Sequence, residues 1–309
     1  MANDPRVSAL PHLAMVAAIV LWSTIYVAGK TAVTLVPLAE TIAWRFLLAA
    51  VCLWLIVAWK HYDWQIRTIG FPAFVGGLFE PGVAGLLTFW GLTLTSAISA
   101  TVLFSVFPLI SVLMGRIVLK EAISPLVVIG SAVAIIGTFL LVWDDAGSGD
   151  DSLLGDAIVI AAMLFIVTVQ LLLRRLAKSY GKPLVVTSWQ MTGAAVSGFL
   201  FIPVLQEGGE IATWMSAGPI EAWLVLVYMA VFVSAITFHI YNYALRFIPV
   251  GRISLYYTLV APLGVPFAAI VLDETVSSLD LAATVFVVLG VALPALPAWW
   301  SRHNRSIGK

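Results

Sequence analysis

Glu80 is a carboxylate set in the middle of a long apolar run, between Gly76-Gly77 and Pro81-Gly82. Counting from the start of that run near residue 69 puts it about eleven residues in, or ~16 Å at 1.5 Å per residue. Pro81 removes one helical hydrogen bond and restricts its own φ, so the helix is expected to kink or loosen there. A carboxylate beside bared carbonyls can bind an ammonium group, take up a proton, or pair with a buried cation. Arg45, about five residues inside the preceding run, is the cation in reach, and its long side chain could turn inward to Glu80 or outward to water. Lys30 ends the first run. Ionisable groups inside an apolar span cost roughly 2.5–3.5 kcal/mol each and by default mark a pathway or a pair.

A second group is His239, Asn242, Tyr243 and Arg246, whose i, i+3, i+4, i+7 spacing makes one polar stripe on a helix. Gln170 reaches similar depth on another run and is its expected partner. The stripe either lines a vestibule or joins helices by hydrogen bonds. His239 is a proton carrier on one reading and a merely hydrogen-bonded ring on the other. Thr101, Ser105 and Pro108, with Ser254, Tyr257, Thr258 and Pro262, put small hydroxyls beside prolines, which permits either bending or close packing. Trp22, Tyr26, Phe79, Trp90, Phe104, Phe165 and Tyr257 could wall an apolar cavity for flat, uncharged or zwitterionic solutes. The candidate solute contacts are therefore Glu80, Trp22, Tyr26, Phe79, Thr101, Gln170, His239 and Tyr257, with Arg45, Glu80 and Lys30 for pairing or coupling.

These residues need elements that cross a membrane. The chain has 309 residues, 61% hydrophobic and 10% charged, against about 45–50% and 25% in soluble domains. Apolar runs cover 12–30, 38–59, 69–91, 96–119, 125–143, 153–174, 183–204, 220–244, 249–272 and 279–300. Each is long enough to span as a helix, which satisfies its own backbone. Of sixteen basic residues, fourteen fall on one side: Arg6, Lys60, Arg67, Arg116, Lys120, Arg174, Arg175, Lys178, Lys182, Arg246, Arg252, Arg302, Arg305 and Lys309. The positive-inside rule makes that side, and both termini, cytoplasmic. Asp144, Asp145, Asp150, Asp151, Glu207, Glu210, Asp273 and Glu274 gather on the other. The expectation is an all-α, multi-pass protein of the cell (inner) membrane with ten transmembrane helices. A formal net charge of zero leaves no footprint for nucleic acid, and the lone Cys52 allows no internal disulfide.

The two halves repeat. Trp44-Arg45 with Ala49-Ala50-Val51 matches Trp189-Gln190 with Ala194-Ala195-Val196, and Leu119-Lys120-Glu121 matches Leu272-Asp273-Glu274. Pro108 lines up with Pro262 within one residue, and Trp22 falls opposite Phe165. Five spans per copy is odd, so the second copy is expected upside down: residues 1–146, then 147–309 as two inverted five-helix repeats. Inverted repeats are the architecture of transporters that alternate access to a midplane site. The segments Ile19-Val20-Leu21-Trp22-Ser23-Thr24 with Lys30, Trp44-Arg45-Phe46-Leu47, Leu119-Lys120-Glu121 and Tyr243-Ala244-Leu245-Arg246 resemble the drug/metabolite transporter superfamily, EamA type. Within it the chain looks most like the YddG-type exporters of aromatic amino acids. The resemblance implies spans 1, 3, 4, 6, 8 and 9 around a central cavity and export from the cytoplasm. The partners expected are a small-molecule substrate and the lipid bilayer, with the chain acting as a monomer.

No G-x-x-x-x-G-K-[ST] and no H-E-x-x-H occurs, so neither direct ATP hydrolysis nor zinc chemistry is indicated, and no cofactor is expected. A rival reading is a lipid-modifying enzyme using the acidic loop Asp144–Asp151 to hold Mg²⁺ and a pyrophosphate. That loop is rich in Gly and Ser and joins the two copies, which equally describes a solvated linker. A channel would need a charged ring or carbonyl filter, and neither is apparent. An exporter of drug-like, nucleobase or lipid-linked solutes is the remaining alternative.

Overall fold

The helix α3 (Leu38–Trp59) shows how an apolar run becomes a span. Its 22 residues make ~33 Å of helix, enough for a hydrocarbon layer of about 30 Å. Pro37 sits at its start, where a missing N–H breaks no helical bond. The computed structural model describes residues 9–104, 153–180, 182–205, 219–247, 259–273 and 275–293, with scattered positions from 107 to 137 and at 256. Among these residues there are helices and no strands. Six helical segments are long and apolar enough to cross a membrane: Leu10–Leu35, Leu38–Trp59, Ile66–Leu94, Leu153–Leu171, Pro183–Leu205 and Ile220–Ala244. They correspond to the first, second, third, sixth, seventh and eighth runs of the sequence. The fifth run lies largely outside the described residues, as do parts of the fourth, ninth and tenth.

Three of the six segments are broken near the middle. The first divides into α1 (Ala9–Ser23) and α2 (Ile25–Leu35) at Thr24. There the hydroxyl donates back to the Leu21 carbonyl at 2.7 Å and shares a 2.7 Å hydrogen bond with Tyr228. The third holds α4 (Phe71–Gly77), a π-helical turn Leu78–Val83, and α5 (Ala84–Leu94). After α6 (Ala97–Phe104), α7 (Leu153–Tyr180) and α8 (Pro183–Leu205) run unbroken. The eighth run holds α9 (Ile220–Tyr228), a π-helical turn Met229–Ile236, and α10 (Thr237–Ala244). Turns of this kind leave backbone groups off the regular ladder and recur at functional sites. Two further apolar helices follow, α11 (Val260–Leu272) and α12 (Ser278–Ala292). The second opens in a capping box, in which Asp280 and Ser277 each receive the other's backbone N–H, at 2.8 and 3.0 Å.

α3 and α8 pack antiparallel. Trp54, late in α3, meets Trp189, early in α8, with ring centroids 5.1 Å apart. Trp44, early in α3, meets Phe199, late in α8, at 5.6 Å. α4 closes on the other flank of α8 through two glycines. A Cβ on Gly77 would overlap the Gln190 backbone, and one on Gly193 would overlap the Phe74 carbonyl. Small residues at such crossings let backbones approach in a setting with no hydrophobic drive between helices. The outer surface is apolar: Leu13 is 65% exposed, Leu200 63% and Ile270 78%. Apolar exposure on this scale suits lipid and not water.

Candidate functional site

The broken spans surround one interior cavity. It holds about 620 Å³ of empty space, open solvent at its mouth included. Trp22 and Tyr26 reach it from either side of the Thr24 break, Glu80 and Pro81 from the π-helical turn, and Ala84, Gly85, Thr88 and Phe89 from α5. Arg45 and Phe46 come from α3, Phe104 from α6, Ile166 and Gln170 from α7, Phe238 from α10 and Val260 from α11. The aromatic wall is interlocked: Trp22 meets Phe238 edge-on at 5.1 Å, and Tyr26 meets Phe104 at 5.6 Å.

Glu80 owes its place to the backbone. Its φ of −139° and ψ of 114° are extended, inside an otherwise helical segment, and its peptide bond to Pro81 is cis. The carboxylate Oε2 accepts from Gln190 Nε2 at 3.0 Å, and the same nitrogen donates to the Glu80 carbonyl at 3.2 Å. Gln190 in turn accepts from Asn242 Nδ2 at 3.0 Å, which also donates to Thr187 at 2.9 Å. Arg45 is held separately. Its Nε donates to Ser234 Oγ at 2.7 Å, and its guanidinium lies 4.7 Å from the Phe46 ring and 5.4 Å from that of Phe89. Both geometries fit cation–π contact.

The structure thus brings Glu80, Arg45, Trp22, Tyr26 and Gln170 to one cavity. The possible Arg45–Glu80 ion pair is absent, because α8 places Gln190 against the carboxylate and the eighth span places Ser234 against the guanidinium. Phe79 departs from its expected role. The extended backbone at Glu80 sends the two neighbours opposite ways, and Phe79 packs on Phe165 at 5.9 Å in a separate groove with Leu164 and Thr168. Trp90 likewise faces an outer groove beside Pro37 and Phe201. His239 does not border the cavity, and its buried Nδ1 has no hydrogen-bond partner among the described residues. The stripe on α10 is therefore split: Asn242 joins Gln190 and Thr187, while Gln170, its expected partner, faces the cavity. Tyr257 and the side chain of Thr101 lie outside the described residues, as does the Asp144–Asp151 loop. Among the described residues, no group of three His, Cys, Asp or Glu could hold a metal ion.

Lys30 has a structural post. Its Nζ donates to the Thr95 carbonyl at 3.2 Å, at the C-terminal end of α5, where the helix dipole favours a cation. Thr95 and Ser99 both donate to Asp156 Oδ1, at 2.8 and 3.0 Å, tying α5, α6 and α7 together at that end. At the opposite end His12 Nδ1 and the Tyr256 hydroxyl share a 2.5 Å hydrogen bond. Gln190 and Ser234 are site residues that a search for charges and stripes passes over, and Asp156 is a charge that such a search did not single out. The match of Trp189-Gln190 to Trp44-Arg45 is the signal that points to the first of them.

A multi-pass helical membrane protein with an interior cavity walled by broken spans is a transporter architecture. The EamA-like transporter family model matches twice, over residues 9–143 and 153–295, and the chain belongs to that family. It is 27% identical over 260 residues to the uncharacterized transporter YyaM of Bacillus subtilis, covering 82% of this chain and 83% of that protein. It is 26% identical over 275 residues to the uncharacterized transporter PA0485 of Pseudomonas aeruginosa, covering 86% and 87%. A solved crystal structure at 21% identity superposes with a TM-score of 0.68 over 94% of this chain and 98% of that one, a likeness of fold.

Proposed function

We propose that this transporter exports small metabolites, aromatic and other neutral amino acids foremost, as a secondary carrier working by alternating access in the cell (inner) membrane. The observation that carries the reading is the cavity, bordered by residues on all three broken spans and lined mostly by aromatic and aliphatic groups. A solute enters from the cytoplasm, where the basic loops and both termini lie. It sits beside Glu80 and Arg45 and leaves on the acidic side as two inverted halves rock. Hydrogen bonds at the two ends, Asp156 with Thr95 and Ser99 at one and His12 with Tyr256 at the other, are fit to open in turn. Counterflow in proteoliposomes with a panel of labelled amino acids tests it. Exchange of aromatic or aliphatic amino acids is expected. Failure of them all, with exchange of a drug-like, nucleobase or lipid-linked solute, would replace the substrate class.

A further inference from the structure

Arg45 and Glu80 both border the cavity and are both buried, at 2% and 3% exposure. Among the described residues no carboxylate meets the guanidinium, and no cation meets the carboxylate. A guanidinium offers five N–H donors, of which the Ser234 contact uses one, and a carboxylate offers two oxygens, of which Gln190 holds one. Buried charges are costly unless a counter-charge reaches them. The neighbours that fix them, Ser234 and Gln190, are neutral and so orient the two groups without cancelling either.

We propose that the cavity recognises its solute at two charged ends. The Arg45 guanidinium takes a carboxylate, Glu80 takes an ammonium of the same molecule, and Trp22, Tyr26, Phe104 and Phe238 hold an apolar side chain. The two protein charges line one cavity without ion-pairing to each other, so neither is cancelled by the other. In an α-amino acid the carboxylate carbon and the amino nitrogen share one carbon and lie about 2.5 Å apart, given bonds of about 1.5 Å. One free zwitterion carries the counter-charge for each group. A decarboxylated amine leaves Arg45 without its anion, and a deaminated acid leaves Glu80 without its cation. Acylation of the nitrogen or esterification of the acid does the same. This deepens the exporter reading and rests on it only in taking the cavity as the solute site.

The test uses three probes of one shape: phenylalanine, 2-phenylethylamine and 3-phenylpropionate. Binding is read by tryptophan fluorescence on the purified full-length protein, and transport by counterflow in proteoliposomes. The intact protein is expected to bind phenylalanine roughly a hundredfold more tightly than either analogue, the cost of an unanswered buried charge. Glu80→Gln should abolish the preference over 3-phenylpropionate while keeping that over 2-phenylethylamine, and Arg45→Met should do the reverse. Arg45→Lys and Glu80→Asp keep the charges and should keep the preferences, which separates recognition from folding. Equal weakening of all three probes by both neutral variants overturns the proposal, as does an intact protein that ranks the probes alike or binds none. Ranked binding without phenylalanine counterflow supports the recognition and sinks the exporter reading. Counterflow of phenylalanine with no ranking does the opposite.

Discussion

Arg45 and Gln190 hold the same place in two copies of one motif, and each reaches the π-helical turn of the other half. Arg45 Nε donates to Ser234 at 2.7 Å, and Gln190 Nε2 donates to Glu80 at 3.0 Å. The ring contacts flanking them exchange in the same way, Trp54 on Trp189 answering Phe199 on Trp44. We read this as a local two-fold between α3 and α8, about which one half supplies both charges and the other supplies the amide and hydroxyl that position them.

Gln190→Leu should disable the site without touching either charge. It leaves Glu80 Oε2 without its donor and Asn242 without one of its acceptors. A buried polar group so stranded costs about 1–3 kcal/mol. Amino-acid counterflow should fall by about tenfold or more, and thermal unfolding of the detergent-purified protein should shift downward. Unchanged counterflow would remove Gln190 from the site.

Gly77→Ala and Gly85→Ala should have opposite outcomes. At Gly77 the new methyl overlaps the α8 backbone, whereas at Gly85 it makes ordinary contact with Ile42 at 3.4 Å. The first is expected to destabilise by about 1–3 kcal/mol through overpacking. The second should be neutral or gain up to ~1 kcal/mol of helix propensity. Thermal unfolding of the two variants side by side decides it.

The hydrogen bonds at the two ends predict access from opposite sides. In a Cys52→Ser, Thr88→Cys background, the new thiol stands in the cavity wall. Adding Asp156→Ala should speed its labelling by an impermeant maleimide from outside, by about tenfold if ~1.4 kcal/mol of closure is lost. Adding His12→Ala should speed labelling from the cytoplasmic face instead. Both changes acting from one side would contradict alternating access.

Orientation has its own check. In a Cys52→Ser background, Asp273→Cys should react with an impermeant maleimide in intact cells. Asp63→Cys should react only after permeabilisation, because Asp63 shares its end with Lys60 and Lys182. Reactivity in the opposite order would invert the topology and place the Asp156 end, not the His12 end, on the cytoplasmic side.

Much of the architecture was legible in the sequence because lipid constrains it so strongly. Run length located the six spans described here, and Pro81-Gly82 marked the break that turns Glu80 inward. Depth along a helix could also be counted. Direction around the helix could not: Phe79 looked equivalent to its neighbour until the extended backbone at Glu80 separated them. Asn242 and Gln170 share a depth, yet they face different elements. Ser234 carries no charge, so nothing but its partner distinguishes it from a packing residue, and Gln190 is marked only by its place opposite Arg45 in the repeat. Asp156 was hidden by the acidic loop just before it, although its carboxylate binds α5 and α6.

The walls of the cavity carry one guanidinium and one carboxylate. Moving one elementary charge through 100 mV costs about 2.3 kcal/mol. With both groups ionised the empty cavity is neutral, and a bound zwitterion adds nothing to it. Membrane potential then neither drives nor opposes the loaded or the empty half of the cycle. On the zwitterion reading proposed above, net flux would follow the solute's own gradient, and the protein would act as a relief valve for what a cell holds in excess.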